Sequence, residues 1–450
     1  MNVRLRVIGR AKVARDAAHD LRASAALPTP RPTEMPGMAL ALSPSMSTRA
    51  FHKGRTQVLV VGAGPVGLLT AIRLREQGID VRVIEQQTEA RTHTYPVVLH
   101  PQSLRLLGDL GLGAAMFWRG RPVTRLAIYT EHQRRAVLDM PNVSGSSGIL
   151  TMPQDVLRQA LTTALTQRGV AIEWDTRLAV LTQDERAVWG RLVQRESGGE
   201  ARGRLNVEAF DADYVIGADG YESTVREAVG IQLIGRGALS TYAFFDAPAK
   251  RSGREAFLAL SEDFADGVYP LQDGMARFSF QMGHSLDRAP DVHLLRSLVR
   301  SRMPWYASET EDILWGGVAE FRRALANKFG HGRVWLAGEA AHLTGPLGVQ
   351  SLNIGLDEGN ELALRVADAV RHPSRQQLGV DYDAKRTRQW RELLGLEDRA
   401  VLSARSPDWA RRNLRKLVAC LPASEADLDN LLEQLRVTPT SSRPSRRADT

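Results

Sequence analysis

The order of apolar and polar positions divides the chain into a nucleotide-type α/β body, a strand-rich middle and a helical end. Residues 58 to 61 form a continuous apolar run, as a strand buried on both faces requires. Gly62, Gly64 and Gly67 follow, and Val66, Leu69 and Ile72 then recur at helical spacing until Gly78. A second apolar run, residues 81 to 84, ends in Glu85. Residues 214–216 and 334–337 read as two further short buried strands, each running into a glycine-bearing turn. Between about 233 and 324 the period falls to two: Phe278, Phe280 and Met282 share one strand face, and Phe244, Phe245, Tyr269 and Trp315 add bulk. Beyond 400 the helical period returns. Leu414, Leu417, Val418 and Leu421 lie on one face, and Ser424 with Asp427 is placed as a capping box before Leu428, Leu431, Leu432 and Leu435.

With 450 residues, 43% of them hydrophobic, the chain can build a large core in one big domain or two packed ones. No apolar run approaches the roughly 20 residues of a membrane span, so stable membrane insertion is not expected. One cysteine, Cys420, excludes an intrachain disulfide and suits a reducing, cytoplasmic setting, although low cysteine usage also suits other compartments. A net charge of +8 hints at nucleic acid, but its location removes the hint. Residues 1 to 55 hold ten Lys/Arg against three acids, which leaves +1 for the other 395. That basic tail carries five prolines between Pro28 and Pro44 and no secretory apolar segment. It is expected to be disordered, with Met38 and Met46 as alternative initiators. The ten histidines show no metal-ligand spacing, and a single cysteine builds no zinc site, so no metal is expected.

The first glycine cluster carries the chemistry of a dinucleotide site. Gly62 permits a tight turn, Gly64 lets a pyrophosphate approach the backbone, and Gly67 lets helix and strand pack closely. Pro65 suits a first helical turn, which then faces phosphates with free N–H groups. Glu85, about 20 residues on, lies where a carboxylate takes both hydroxyls of an adenosine ribose, which favours NAD or FAD over NADP at this site. In the second cluster Asp219-Gly220 makes a turn and Ser223 can cap a helix starting near Thr224. Arg226 in its first turn works against the helix dipole. Either an anionic group outside the helix or surface pairing with Asp219 or Glu222 accounts for it. The third cluster, Gly338-Glu339-Ala340-Ala341-His342 with Pro346, Gly348 and Asn353, precedes a long helix. His342 is read as making a structural hydrogen bond rather than acting as a base, since no proton target is evident.

With these three clusters in this order, the sequence resembles the single-component flavin-dependent aromatic hydroxylases, the class A flavoprotein monooxygenases, over about residues 55 to 390. The resemblance implies an α/β fold: a Rossmann-like, GR2-type FAD-binding domain (55–232 plus 325–400) with an inserted β-sheet substrate domain (233–324) and C-terminal helices (401–437). Tails at 1–54 and 438–450 would be disordered. It implies that Gly62, Gly64, Pro65, Val66 and Gly67 hold the FAD pyrophosphate and Glu85 its adenosine ribose. Gln154 would contact the flavin. Asp219, Gly220, Ser223 and Arg226 would line the pyrophosphate and the approach of NADH or NADPH. Gly338 and Glu339 would meet the ribityl chain, and Pro346, Gly348, Leu352 and Asn353 would border the isoalloxazine ring. On this view the flat ring and its ribityl arm are what keep side chains small in the third cluster.

The implied reaction is hydroxylation of an aromatic or polyketide-like small molecule by O₂ and NAD(P)H through a flavin C4a-hydroperoxide. The cofactor carries that chemistry, so no catalytic side chain is named. Aromatic residues of the inserted sheet could clasp a planar substrate, although each one singly reads as ordinary core. Three positions depart from the family pattern: Glu339 where Asp is usual, Gly345 in place of a proline, and Tyr95 where many relatives carry an arginine, a role Arg91 could take. Two rival readings keep the flavin: an FAD dehydrogenase or reductase without oxygen insertion, and a non-catalytic FAD- or drug-binding protein. The basic residues Arg411, Arg412, Arg415 and Lys416 are read as a solvated face. Substrate identity, coenzyme choice and oligomeric state have no readable motif.

Overall fold

Arg55–Val61 lies inside a parallel sheet, between Val81–Ile84 and the second half of the long strand Leu205–Gly217. The structure, a computed structural model, describes residues 55–88, 96–143, 146–195, 205–235, 239–249, 253–283, 289–306, 312–373, 379–398, 400–402 and 405–439. The 1–54 tail, the Arg91 and Tyr95 positions and residues 440–450 lie outside them. Ile172–Glu173 extends the sheet beyond Val81–Ile84, and Val334–Leu336 extends it beyond Leu205–Gly217, both in parallel. The first half of Leu205–Gly217 instead pairs antiparallel with Val188–Arg195, which pairs with Thr176–Gln183. The apolar runs predicted from the sequence are these central strands, and Val58, Leu59 and Val60 are fully buried as strands covered on both faces must be.

The helix Pro65–Glu76 packs on this sheet, and the 22-residue helix Gln350–Arg371 packs on that helix. The second crossing is tight. A Cβ at Gly359 would stand 2.4 Å from Thr70 Oγ1 and 3.2 Å from the Val66 carbonyl, so only glycine lets the backbones approach this far.

The second layer is a seven-stranded sheet in the order Trp315–Phe321, Ser240–Pro248, Met275–Met282, Ala265–Pro270, Glu255–Leu260, Arg125–Thr130, Gln133–Asp139. Its last two strands come from before the expected insert, so the substrate-side sheet is wider than residues 233–324. They join through the one parallel ladder in that sheet, Glu255–Leu260 beside Arg125–Thr130. One face of this sheet is sealed by the helix Val292–Arg302, whose Leu295, Leu298 and Val299 pack with Phe245, Phe278 and Phe280. Strand parity thus sorts the sheet's aromatic residues, and for two of them the core reading holds. Phe278 and Phe280 are core beneath a helix, and their neighbours Arg277 and Ser279 face the other way.

At the C-terminal end, Asp408–Cys420 and Glu425–Gln434 are helices with Leu417, Leu421, Leu428, Leu431 and Leu432 fully buried. The expected capping box is not formed. Ser424 makes no side-chain cap, and Asp427 accepts from Arg105 at 2.6 Å instead. Thr438–Pro439 pairs with Ala400–Val401, so order continues two residues past the expected boundary. Nor is the basic face wholly solvated. Lys416 donates to the carbonyls of Ser261 and Glu262, and Arg412 lies 3.6 Å from Glu131.

Candidate cofactor and substrate site

A cavity of about 390 Å³ opens where the two layers meet. One wall comes from the nucleotide-type body: Gly64, Pro65 and Val66, then Gln154, Gly220 and Tyr221, then Ala337 and Glu339. The sheet supplies Phe244, Tyr269, Arg277, Ser279, Glu320 and Phe321, with Arg322 just beyond it. The loop from Leu343 to Leu352 closes one side. Its size falls in the range of small-molecule sites.

The glycine turn has the geometry its sequence promised. Gly62 adopts φ +105°, and a Cβ there would lie 2.4 Å from the Ala218 carbonyl. A Cβ at Gly67 would lie 2.0 Å from the Gly62 carbonyl. Gly64 differs, because a Cβ there meets nothing within 4 Å and would point into open space at the cavity wall. Two glycines therefore serve the fold, and the third leaves open space at the cavity. Gly64 caps the Pro65–Glu76 helix, which has no side-chain cap and no acid in its first turn, so its first N–H groups remain available to an anion. Glu85 accepts from the amides of Ala63 at 2.8 Å and Gln87 at 2.9 Å. A carboxylate has about four acceptor positions, so two hydroxyls can still be bound.

Asp219 sits under the neighbouring turn. Its Oδ2 accepts from Thr224 Oγ1 and the Val225 amide, both at 3.1 Å, while its Oδ1 is buried and has no partner. Burial pushes its carboxyl up, against the turn's hydrogen bonds to the charged form. Ser223 caps the short helix Thr224–Ala228, as expected, by accepting from the Arg226 amide at 2.9 Å. Arg226 itself satisfies neither sequence reading. Its guanidinium is buried and donates to the carbonyls of Ala340 at 3.0 Å and Tyr221 at 2.9 Å. It ties the second cluster to the third and does not line the cavity.

In the third cluster Glu339 projects into the cavity from a single 3-10 turn, Gly338–Ala340. Solvent reaches its carboxyl through the cavity, but the protein surrounding it still pushes its pKa up. No described residue hydrogen-bonds this carboxyl. The small residues nearby answer largely to the protein rather than to a bound ring. A Cβ at Gly348 would stand 2.4 Å from the Ala419 carbonyl, and one at Gly338 would stand 3.1 Å from Val66 Cγ2. Pro346 and Leu352 do line the cavity; Gly348 and Asn353 do not.

Asn353 is a buried staple. Its Oδ1 accepts from the His100 amide and from Ser103 Oγ, both at 2.7 Å, and its Nδ2 donates to the carbonyls of Val98 and Val349, both at 2.8 Å. The adjoining carbonyls are held too. Tyr269 donates to Leu347 O at 3.0 Å, and His100 Nε2 to Gly348 O at 2.8 Å. Burial lowers the His100 pKa to about 4, so the ring is neutral and donates from Nε2. These ties hold Val349 at φ +47°, a left-handed conformation costly for a β-branched residue, on the order of 1–3 kcal/mol. The Gln350–Arg371 helix then starts at the cavity without a side-chain cap. His342 is structural, as read from the sequence: its Nε2 bonds Glu358 at 2.8 Å and its ring stacks on Trp390 at 3.7 Å.

The family model described as FAD binding domain matches residues 55–395. The chain belongs to that family. The FAD-binding fold extends to solved structures. A p-nitrophenol 4-monooxygenase from Pseudomonas putida superposes with a TM-score of 0.63 at 21% identity, covering 76% of this chain and 86% of that one. Among curated proteins, 6-methylpretetramide 4-monooxygenase of Streptomyces rimosus is 29% identical over 340 residues, 73% of this chain and 59% of that protein. Rifampicin monooxygenase of Streptomyces venezuelae is 28% identical over 397 residues, 84% of this chain and 78% of that protein. The chain thus spans about three-fifths of the length of some of these relatives, 59% and 62% for two of them. The residues present fit FAD. Gly64 leaves a space that a Cβ would fill and Glu85 keeps free acceptor positions, while Asp219, with one buried unpartnered oxygen, stands behind the cavity lining.

The residues sequence reasoning missed are Tyr221 and, on the sheet wall, Arg277, Ser279, Glu320, Phe321 and Arg322; Phe244 and Tyr269 were among its substrate-side aromatics. Alternation shows which positions share a face but not which face meets the cofactor-binding body.

Proposed function

We propose that this chain is an FAD-dependent monooxygenase that uses NADH or NADPH and O₂ to hydroxylate an aromatic or polyketide-like small molecule. One observation supports the reading above the others: the cavity is bounded on one side by the FAD-family turns and on the other by the sheet face turned away from the Val292–Arg302 helix. When bound there, FAD would accept hydride from the nicotinamide and activate oxygen. The chain's own part is positional. Gly64 and the first turn of the Pro65–Glu76 helix would take the pyrophosphate, Glu85 the adenosine ribose and Glu339 the ribityl hydroxyls. Gln154 would reach the flavin with an amide that no described residue engages. Phe244, Phe321, Leu271 and Leu347 offer an apolar surface that would exclude water from the reacting centre and lie flat against a planar ring.

The relatives' printed names, a pretetramide monooxygenase and a rifampicin monooxygenase among them, support a polycyclic or aromatic substrate class. Among the described residues no helix is long and apolar enough to cross a membrane. A reducing, cytoplasmic setting belongs to the same proposal and is supported by the buried free thiol of Cys420.

The test is purification with flavin quantification, followed by NADH and NADPH consumption over a panel of aromatic compounds under ¹⁸O₂. Label in a hydroxylated product supports the reading. Coenzyme oxidation with no labelled product would favour a dehydrogenase, and bound flavin that neither coenzyme reduces would favour a ligand-sequestering protein.

A further inference from the structure

Four charged side chains of the described residues reach the cavity: Arg277, Glu320, Arg322 and Glu339. Arg277 is already engaged, with Nε and a terminal nitrogen on the two oxygens of Asp246 at 2.7 and 2.6 Å. Glu339 stands in the cofactor-family motif. Glu320 and Arg322 remain, at the end of the Trp315–Phe321 strand. Positions two apart on an extended segment share a face, and Phe321 between them also borders the cavity. No described residue hydrogen-bonds or ion-pairs with either of them. The Nε of Arg322 is nonetheless buried without a partner. Leaving such a donor unsatisfied is unfavourable, so a ligand acceptor would relieve a standing deficit.

We propose that Arg322, with Glu320 beside it, reads an acidic oxygen group conjugated to the substrate's ring system. This rests on the monooxygenase reading of the same cavity and narrows its substrate class. The planar guanidinium fork matches two oxygens sharing one negative charge, which a lysine ammonium matches less well. Glu320 would repel a bare anion, and so it selects one flanked by a donor. The arrangement therefore calls for an acidic group next to a hydroxyl, in which Arg322 binds the charge and Glu320 accepts from the hydroxyl. ortho-Hydroxyaryl carboxylates present both parts, whereas an ionised 1,3-dicarbonyl presents the shared charge and needs a further ring hydroxyl to donate to Glu320.

The experiment uses the full-length, FAD-loaded protein, with binding read from perturbation of the flavin absorbance. Flavin loading is checked first, so a protein that takes up no FAD refutes the cofactor reading separately. The probes are two matched pairs, 1-hydroxy-2-naphthoate against 1-naphthol and 4-hydroxycoumarin against coumarin, with 2-naphthoate as the acid that lacks the hydroxyl. Whichever acid binds at least tenfold tighter than its neutral partner identifies the source of the acidic oxygen. Arg322→Gln is expected to abolish that preference and Arg322→Lys to keep part of it. Neither should lower thermal stability, because Arg322 bonds nothing in the fold. Glu320→Gln is expected to remove the advantage of 1-hydroxy-2-naphthoate over 2-naphthoate. The proposal is overturned if both acids bind no better than their neutral partners, if no acid binds at millimolar concentration, or if the preference survives Arg322→Gln.

Discussion

Glu358, in the long helix, holds His342 at 2.8 Å, and both side chains are fully buried. The same carboxylate accepts from Trp390 Nε1 at 2.7 Å and from the Gly338 amide at 2.9 Å. Burial works against its charge, but His342, these hydrogen bonds and Arg386 outweigh it and hold the carboxyl below its ordinary range. Its contribution is therefore full above the unfolded pKa and fades as pH falls through the lower folded one. Glu358→Ala would strand three buried donors and should cost on the order of 3 kcal/mol, read by urea denaturation at pH 7. A loss under 1 kcal/mol would show that the network is dispensable.

Gly64 borders open cavity space, whereas Gly67 is pressed against the fold. Gly64→Ala adds a methyl that touches no protein atom, so the flavin-free thermal midpoint should hold while FAD affinity drops by tenfold or more. Gly67→Ala drives the same methyl into the Gly62 carbonyl and should reduce soluble, folded yield. Equal effects of the two substitutions on the flavin-free protein would contradict this division.

Glu339 is strained electrostatically before any ligand arrives. An acid whose folded pKa is raised destabilises the charged fold above that pKa and ceases to do so as pH falls through it. Glu339→Gln should therefore make the flavin-free protein more stable at neutral pH and remove that part of the acid dependence. FAD should bind about fivefold more weakly for one lost charge-assisted hydrogen bond, roughly 1 kcal/mol. Glu339→Asp restores the family's usual acid and should bind FAD at least as tightly as the parent. Tighter FAD binding by the Gln variant would count against the ribityl role.

His100 gives the opposite pH dependence. Its folded pKa of about 4 lies below the ordinary 6.5, so the fold keeps its full contribution above 6.5 and loses it progressively down to about 4. The loss should reach about 3 kcal/mol. In His100→Gln, urea midpoints between pH 6.5 and 4 should vary less than in the parent, with the Gly348 carbonyl still capped by an amide. Parallel pH profiles for the two proteins would refute it.

Much of this was legible in the sequence because local rules and tertiary demands coincide there. The turn at Gly62–Gly67 follows from steric necessity, the Ser223 cap from its place at a helix start, and the structural hydrogen bond of His342 from its place at a strand end. The failures share another cause. Arg226 was judged against its own helix, yet its partners are carbonyls five residues upstream and 114 residues downstream. Gly348 and Asn353 were assigned to the ring, but the C-terminal helix and the His100 region claim them. Ser424 had the right neighbours for a capping box, but Arg105 took Asp427. In each case a residue distant in the chain decided the outcome, and no local pattern records distance.

The two chain segments that share the seven-stranded sheet bear on any attempt to transplant its specificity. Exchanging residues 233–324 with a homologue would leave Glu255–Leu260 beside a foreign Arg125–Thr130, with an unmatched ladder at the seam. A chimaera that carries residues 125–139 along with the insert keeps that ladder intact. Recombination breakpoints for this scaffold accordingly come in pairs, one pair for each segment of the shared sheet.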